Sequence, residues 1–259
     1  MLAVTTARKP SKEIEKEAIE IASAYQIPYI PRKNQSIESL INEYEMALIL
    51  SDRHLSCLTH AGELFFHPNM AAVRIRLLRQ GKEDKMLNIC ELSPGDSFLD
   101  CTAGLCSDSL VAKYRVGEKG SVLSLEHSLP IYLVMQHGLK NTNPPRFQEP
   151  ARGIELVHAD FRCFLPKLPP RSFDVVYFDP MFDVPVMEAS SLMPLRPLAC
   201  DLPLTREDIA LAARVARRRV VVKQRSFFDF SRLGMTQAGG PRRKTAYGVL
   251  DIKENANES

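Results

Sequence analysis

Short apolar segments with the length of buried strands alternate with helical segments from Pro94 onward. A strand, a helix and a further parallel strand form the repeating unit of doubly wound α/β proteins. The sequence therefore predicts an α/β fold with a doubly wound, mostly parallel sheet. The predicted strands are 97–101, 121–125, 154–158, 173–179 and 220–222, with a final edge strand at 245–252, and the predicted helices are 107–114, 129–140 and 205–216.

The first part of the chain lacks this alternation and is predicted to be a small α+β accessory region over residues 1–85. The main domain is then expected to span residues 86–259. Helical periodicity and breaking prolines predict the following elements in the accessory region: helices over 11–26, 37–50 and 69–80, and a short strand within 64–68.

The composition is that of an ordinary globular protein, with 45% hydrophobic and 25% charged residues in 259. No apolar run approaches the ~20 residues that span a bilayer, and the apolar start of the chain is too short for a signal peptide. A cytoplasmic location is expected. The six cysteines form no Cys-x-x-Cys pair, so buried reduced thiols are expected and a metal site is not.

Positive charge is concentrated near the end of the chain. Residues 206–253 contain twelve Lys and Arg against four Asp and Glu. This excess has two interpretations: a surface for a polyanionic partner, or a solvated cationic face. The charge alone does not decide between them.

A turn of small residues follows the first predicted strand of the main domain, in the order Thr102-Ala103-Gly104. Such a turn lets the backbone approach a ligand, and the next helix directs its N-terminal N–H groups toward it. With a single glycine, the dinucleotide-binding fingerprint is absent, and no Gly-Lys-Ser/Thr phosphate loop occurs. Ala103 and Gly104 are therefore candidate contacts for a nucleotide-type cofactor without a phosphate chain.

An acidic residue closes each of four successive predicted strands: Asp100, Glu126, Asp160 and Asp179. A carboxylate at the position of Glu126 can bind both hydroxyls of a ribose, and Asp160 is placed to reach an adenine amine. Each residue alone could be a turn or cap residue. Together they predict an acidic edge that suits a cofactor with a ribose, an amine and a cationic centre, as in S-adenosylmethionine.

The segment Asp179-Pro180-Met181-Phe182 follows the last of these strands. Proline ends the strand ladder and stiffens the turn. Asp179 and the Pro180 carbonyl would accept hydrogen bonds from an exocyclic amine, while Phe182 stacks on its ring. These three residues are the candidate catalytic group; the alternative is a surface turn.

These motifs resemble the class I S-adenosylmethionine-dependent methyltransferases, and most closely the RsmJ type, which methylates a guanine amine in small-subunit ribosomal RNA. The similarity covers about residues 60–235 and lies in three segments: 99–105, 175–182 and 219–223. It implies a Rossmann-like fold, S-adenosylmethionine as cofactor and ribosomal RNA as partner. The residues that it implies for the cofactor are Ser107, Asp108, Glu126, His127, Asp160, Phe161 and Asp179, besides Asp100, Ala103 and Gly104 at the first turn.

The chain departs from the family pattern at two places. Cys106 and Ser107 stand where the family has glycine and arginine, and Asp183 intervenes before the proline that usually follows the aromatic residue. Lys223 and Arg225 are the candidate substrate contacts, and for Lys223 a cation facing water is the alternative. Other acceptors stay open at this point (DNA adenine, a protein amide, a small molecule), as does a non-catalytic cofactor-binding or RNA-binding relative.

Overall fold

The computed structural model describes residues 1–33, 35–141, 148–180, 198, 202–238 and 245–252. The helices and strands in this part of the chain are, in order, β1 Leu2–Thr6, α1 Lys12–Ala24, α2 Ile37–Tyr44, β2 Met46–Leu50, β3 Leu55–Thr59, β4 Gly62–Phe65, α3 Asn69–Arg79, α4 Lys85–Cys90, β5 Ser97–Asp100, α5 Ser107–Val116, β6 Ser121–Glu126, α6 Leu129–Lys140, α7 Gln148–Arg152, β7 Ile154–His158, α8 Phe161–Phe164, β8 Phe173–Phe178, α9 Arg206–Val215, β9 Ala216–Arg225, β10 Thr236–Ala238 and β11 Thr245–Asp251. None of these helices is long and apolar enough to cross a membrane.

Two compact units divide the chain. The first contains Met1–His67 and α6, and the second contains the described residues from Pro68 to His127 and most of those that follow α6. The boundary expected from sequence, between residues 85 and 86, stays a prediction.

The first unit is built on a four-stranded sheet in the order β1-β2-β3-β4. The β1–β2 pair is parallel, and the other two pairs are antiparallel. Helix α1 begins at Ser11, whose side chain accepts a hydrogen bond from Ile14 N–H, and it buries Ala18 and Ala22. Helix α6 contacts β3 and β4, so the sheet has a helical layer over this part.

One predicted helix of the first unit is only half correct. The helix predicted over 37–50 ends at Tyr44, where Glu45 takes a positive φ of 65°. The next five residues form β2, which lies between β1 and β3. The apolar sequence of Met46–Leu50 fits helical periodicity equally well, but its backbone groups are satisfied by two neighbouring strands. The helices predicted at 11–26 and 69–80 are confirmed as α1 and α3.

The second unit contains a seven-stranded sheet in the order β10-β11-β9-β8-β5-β6-β7. The pairings from β9 through β7 are parallel, and β11 and β10 are antiparallel. The predicted doubly wound, mostly parallel sheet is therefore confirmed. The prediction that 245–252 forms an edge strand was wrong, because β10 pairs with the outer side of β11.

The core of the second unit lies on the strands at the centre of this sheet. Leu99, Val176, Phe178 and Val220 are fully buried and belong to one apolar cluster. Helix α9 covers this cluster and begins with a capping box in which Thr205 and Asp208 exchange hydrogen bonds. The packed core leaves the ends of the strands as the part of the sheet available for ligand chemistry.

Candidate active site

The carboxyl ends of four parallel strands present the four acidic residues in one row. The sheet order β8-β5-β6-β7 places them as Asp179, Asp100, Glu126 and Asp160. The predicted acidic line along this edge is therefore confirmed. In open α/β sheets this edge is where ligands bind.

Asp100 is a structural support of the first turn. Its carboxylate accepts a hydrogen bond from the Ser109 hydroxyl at 2.6 Å and from the Thr102 N–H at 3.1 Å. The Ser124 hydroxyl of the next strand donates to Ser109 in turn at 3.0 Å. Burial, together with the nearby Asp108, raises the pKa of Asp100 to about 7 although these hydrogen bonds oppose the shift. Asp100 is 1% exposed, and its hydrogen bond from the Thr102 N–H holds the turn after β5 in place.

The turn itself is held by Glu126. Its carboxylate accepts the Gly104 N–H at 2.9 Å, which draws the turn after β5 onto the end of β6. Gly104 and Cys106 both have positive φ, 48° and 56°. A Cβ added at Gly104 would meet no atom of the described residues closer than 4.0 Å, where the nearest is the Thr102 carbonyl oxygen.

Cys106 occupies a left-handed conformation that favours glycine. It is the residue before α5 and is fully buried. Burial raises the pKa of the Cys106 thiol well above its ordinary value. The thiol is therefore neutral and fills space in the turn. The expectation of buried thiols also holds for Cys57, Cys90 and Cys101, whereas Cys163 is exposed.

The far end of the row is formed by Asp160 and two histidines. Asp160 caps α8 by accepting the Arg162 N–H at 2.8 Å, and its second oxygen lies 3.8 Å from His127 Nδ1. The ring of His158 is hydrogen-bonded to the His127 carbonyl at 2.9 Å. Phe161 is nearly buried and packs edge-on against Phe178, which makes it part of the wall beneath this end.

Asp179 is fixed at both its backbone and its side chain. Its N–H donates to Thr102 Oγ1 at 2.6 Å, which joins the end of β8 to the turn after β5. Phe178 pairs with Val222 in register, so Asp179 and Lys223 lie opposite each other on adjacent strands. The Lys223 ammonium donates to the Asp179 carboxylate at 2.6 Å.

Asp108 connects the catalytic candidate to a buried charge network. One of its oxygens accepts hydrogen bonds from the Tyr177 hydroxyl at 2.8 Å and from the Lys223 ammonium at 3.2 Å. Its other oxygen accepts a hydrogen bond from the guanidinium of Arg74, which lies on α3. Arg74 also forms a bidentate salt bridge with Asp84, in which its Nε and Nη2 donate to the two carboxylate oxygens at 2.7 and 2.9 Å. The network thus contains alternating charges from α3, α5, β8 and β9.

The electrostatics of this network favour a charged Asp108 and a charged Lys223. Burial alone would raise the pKa of Asp108, but Lys223 and Arg74 outweigh it and hold that pKa well below its usual range. Burial would lower the pKa of Lys223, but Asp108 and Asp179 raise it. For Asp179, burial and the neighbouring Asp108 raise the pKa to about 6, although Lys223 opposes the shift. Asp179 keeps 28% of its side chain exposed and so can face an incoming group.

Several predicted site residues have partners that sequence reasoning did not give them. Lys223 binds Asp108 and Asp179 and keeps 23% of its side chain exposed, and its role as a substrate contact stays a prediction. Arg225 ends β9, with its guanidinium 6.0 Å from the Phe227 ring. Ala103 continues the sheet pairing through its N–H to the Leu125 carbonyl, and Ser107 begins α5. Met181, Phe182 and Asp183 lie outside the described residues.

The basic cluster divides between opposite ends of β9. Arg217, Arg218 and Arg219 lie near its first residue, at the amino edge of the sheet, and are paired with Asp174, Asp96 and Asp251. They therefore lie toward the opposite end of β9 from Lys223, and their ion pairs connect neighbouring parts of the sheet. Arg242, Arg243 and Lys244 lie outside the described residues, so both interpretations of the basic excess stay predictions.

The residues of the site that were not predicted from sequence include Arg74, Thr102 and Tyr177. Tyr177 is fully buried within an apolar strand, and only its hydroxyl marks it as polar. Thr102 lies in a motif that was noted, but its bond to Asp179 N–H depends on β5 and β8 being neighbours. Arg74 lies on a surface helix, where nothing in the local sequence indicates a buried partner.

The residues at this edge fit S-adenosylmethionine. Glu126 and Asp160 would provide acceptors for the hydroxyl and amine groups of an adenosine, and no described residue crowds the backbone at Gly104. The carboxylates disfavour phosphate and suit a cationic sulfonium centre. The cofactor supplies an electrophilic methyl group on that sulfonium.

Comparison with known proteins agrees with this geometry. Residues 31–230 match the family described as "Putative SAM-dependent methyltransferase". The uncharacterized protein YpiP of Bacillus subtilis is 37% identical over 255 residues, which cover 95% of this chain and 98% of that protein. Ribosomal RNA small subunit methyltransferase J of Coxiella burnetii is 29% identical over 222 residues, 80% of this chain and 81% of that one.

The fold agrees as well. The crystal structure of the SAM-dependent methyltransferase NGO1261 from Neisseria gonorrhoeae matches with a TM-score of 0.66 and 17% identity, over 99% of both chains. The family match covers most of the chain, and the sheet has the order and the acidic carboxyl edge described above. The chain belongs to the class I S-adenosylmethionine-dependent methyltransferases, and S-adenosylmethionine is its cofactor.

Proposed function

We propose that this methyltransferase acts on the exocyclic amine of a guanine in small-subunit ribosomal RNA. The observation that carries the proposal is Asp179-Pro180 at the carboxyl end of β8, with the Asp179 carboxylate part exposed and its backbone bonded to Thr102. The relatives named ribosomal RNA small subunit methyltransferase J support RNA as the acceptor. A ribosomal substrate would be met in the cytoplasm.

The chemistry asked of the protein is mainly alignment. A base amine is a poor nucleophile because its lone pair is delocalised into the ring, and it can lose its proton after it attacks the methyl carbon. Asp179 and the Pro180 carbonyl would each accept one amine hydrogen and turn the lone pair toward the methyl group. Alignment of this kind is worth about 7–11 kcal/mol in favourable systems. Phe182 would hold the ring by stacking.

Lys223 acts in this scheme as a positioning residue. Its ammonium holds the Asp179 carboxylate at 2.6 Å and is itself held by Asp108. Among the described residues, one oxygen of this carboxylate is held by Lys223, and the other would accept the amine hydrogen. The Tyr177 hydroxyl and Arg74 fix Asp108 from the other sides.

The test is transfer of labelled methyl from S-adenosylmethionine to small ribosomal subunits and to naked ribosomal RNA, both from cells that lack this gene. Asp179→Ala should abolish transfer while cofactor binding persists. Asp251→Ala is the matched control, because it removes an exposed carboxylate from the amino edge of the same sheet. Nucleoside analysis should show a guanine methylated at its amine.

Other outcomes would redirect the proposal. Incorporation into DNA, protein or a small molecule, with none into RNA, would contradict RNA as the acceptor but keep the role of Asp179. Equal incorporation by wild type and Asp179→Ala would contradict the role of Asp179. A wild-type protein that binds cofactor and RNA yet transfers to neither form of the RNA would overturn the ribosomal assignment.

A further inference from the structure

Arg32, in the first unit, is a buried cation, and within the described part of the chain the Nε of its guanidinium has no hydrogen-bond partner. The residue is 8% exposed. Burial, with a contribution from the nearby Arg8, lowers the pKa of Arg32. A buried charge without a partner costs free energy, and a second cation beside it adds to that cost. An anion bound beside the Arg32 guanidinium would relieve both costs.

The topology of the first unit brings these cations to one edge of its sheet. Tyr29 pairs in parallel with Val4 of β1, and the Ile30 N–H donates to the Val4 carbonyl at 2.8 Å. The Thr5 hydroxyl donates to the Ile30 carbonyl at 2.7 Å. Strand β1 and the extended segment at Tyr29 therefore run in the same direction. Residues 7–10 follow the carboxyl end of β1, and residues 31–33 follow the carboxyl end of the segment at Tyr29.

The two segments that follow Thr6 and Ile30 carry one sign of charge, whereas the segment after the parallel strand β2 carries one charge of each sign, Asp52 and Arg53. Residues 7–10 and 31–33 contain four cations and no acidic residue: Arg8, Lys9, Arg32 and Lys33. Helix α1 begins directly afterwards, with Ser11 as its cap, so first-turn N–H groups lie on the same connection. Glu13 and Glu15 also lie in this first turn, but Glu15 is engaged by the Tyr29 hydroxyl at 3.2 Å, and neither carboxylate is a partner of Arg32.

We propose that this edge of the first unit, made of Arg8, Lys9, Arg32 and Lys33, is a phosphate-binding site for the backbone of the RNA. The guanidinium group matches phosphate oxygens with paired donors. The identity of the polyanion as RNA rests on the proposed function; the presence of an anion site does not. The acidic edge of the second unit binds the cofactor, and this basic edge binds the nucleic acid.

The full-length protein is tested with two probes, labelled naked ribosomal RNA and inorganic phosphate. Arg32→Met keeps the apolar stem and removes the charge. Lys16→Met is the matched control, since Lys16 is an exposed cation on α1 paired only with Glu20 at 3.7 Å. RNA affinity is measured by filter binding over a range of salt concentrations, and folding by thermal melting.

Arg32→Met should bind the RNA about 5–10-fold more weakly and lower the salt slope by about 0.9, the value for one phosphate contact. Lys16→Met should stay within about twofold of wild type. Phosphate should raise the wild-type melting temperature more than chloride at equal ionic strength, and should not raise that of Arg32→Met. The unliganded Arg32→Met protein should melt no lower than wild type, because it loses a buried charge whose Nε has no partner among the described residues.

Unchanged RNA affinity in a folded Arg32→Met protein would overturn the proposal, whether or not phosphate raises the melting temperature. Methyl transfer to RNA by wild type, with RNA binding independent of Arg32, would refute this site alone. Arg32-dependent RNA binding in a protein that transfers no methyl would refute the proposed function and support this site. The two proposals therefore fail separately.

Discussion

Asp100 and Asp179 are two carboxylates of one edge with different surroundings. Asp100 is buried beneath the turn, where Ser109 and Thr102 hold it, and Asp179 is part exposed beside Lys223. Burial raises the pKa of each, to about 7 and about 6. We therefore expect Asp100 to affect stability and, under the proposed function, Asp179 to affect reactivity.

Asp100→Asn should change how stability depends on pH. The pKa of Asp100 is raised in the folded state, so the native protein holds a proton that the unfolded chain releases between about pH 4 and pH 7. The wild-type free energy of unfolding should fall across that window relative to the variant, by on the order of 2–4 kcal/mol. Denaturant titrations at several pH values give the difference between the two proteins. A constant difference from pH 4 to pH 8 would contradict the raised pKa.

Lys223→Met should move the pH dependence of methyl transfer. In wild type, the rate should rise as pH passes about 6, since the ionised Asp179 accepts the amine hydrogens. Without Lys223, burial and Asp108 act on Asp179 unopposed, so its pKa rises and the midpoint should move to higher pH. Single-turnover rates over pH 5–9 measure this.

Lys223→Arg is the control for this prediction, because it keeps the positive charge and should keep the midpoint near that of wild type. A lower rate with an unchanged midpoint in Lys223→Met would show that Lys223 acts on folding or substrate binding instead of on Asp179.

The turn after β9 separates two adjacent phenylalanines. The Phe228 N–H donates to the Arg225 carbonyl at 3.0 Å, and the Phe228 ring packs against the buried Phe230 with centroids 5.1 Å apart. Phe227 is left 72% exposed, near Arg225 at the end of a strand that carries Lys223. An exposed ring next to a cation is the arrangement on which nucleobases stack.

Phe227→Leu should weaken binding of ribosomal RNA by about 1–3 kcal/mol, the cost of losing one stacked base. Phe227→Tyr keeps the ring and should bind as wild type does. The melting temperature of both variants should stay close to that of wild type, since the side chain is exposed. Equal RNA affinity of the two variants would show that the ring does not stack on a base.

Helix α6 approaches the first unit's sheet closely at one glycine. A Cβ at Gly138 would lie 2.1 Å from both Cβ and Cγ of Phe66, so even a methyl group has no room. Gly138→Ala should lower the free energy of unfolding by about 1–3 kcal/mol through overpacking. The double variant with Phe66→Gly, which also removes the Phe66 Cβ, should lose less than the sum of the two single changes. Additive losses would contradict this contact.

At the scale of the molecule, cofactor binding should stabilise the folded chain. A ligand at 100 times its dissociation constant adds about 2.7 kcal/mol when it binds only the native state. S-adenosylhomocysteine should therefore raise the wild-type melting temperature. Glu126→Gln keeps an acceptor for the Gly104 N–H but loses the carboxylate for the ribose, so its unliganded stability should be preserved and its ligand-induced shift should largely disappear. A full shift in this variant would argue against Glu126 as the ribose contact.

Much of the second unit could be predicted because its signals are local. The strand 154–158 and the helix 129–140 begin and end at the predicted residues. Ser11 and Thr205 are N-caps, as predicted. The helix predicted over 37–50 failed in its second half, because an apolar run of five residues fits a strand as well as a helix. Strand β1 was not predicted at all, since its neighbour β2 had been assigned to that helix.

The sequence by itself determined the α/β architecture and the row of acidic residues, because strand ends and the residues that close them are properties of short segments. Only the tertiary structure decided what those residues contact. Arg74 reaches Asp108, and Lys223 reaches Asp179, across separations of 34 and 44 residues. Such pairs depend on which strands and helices become neighbours and on their register. The sequence therefore shows the sign of each charged residue, but only the fold shows which residue it pairs with.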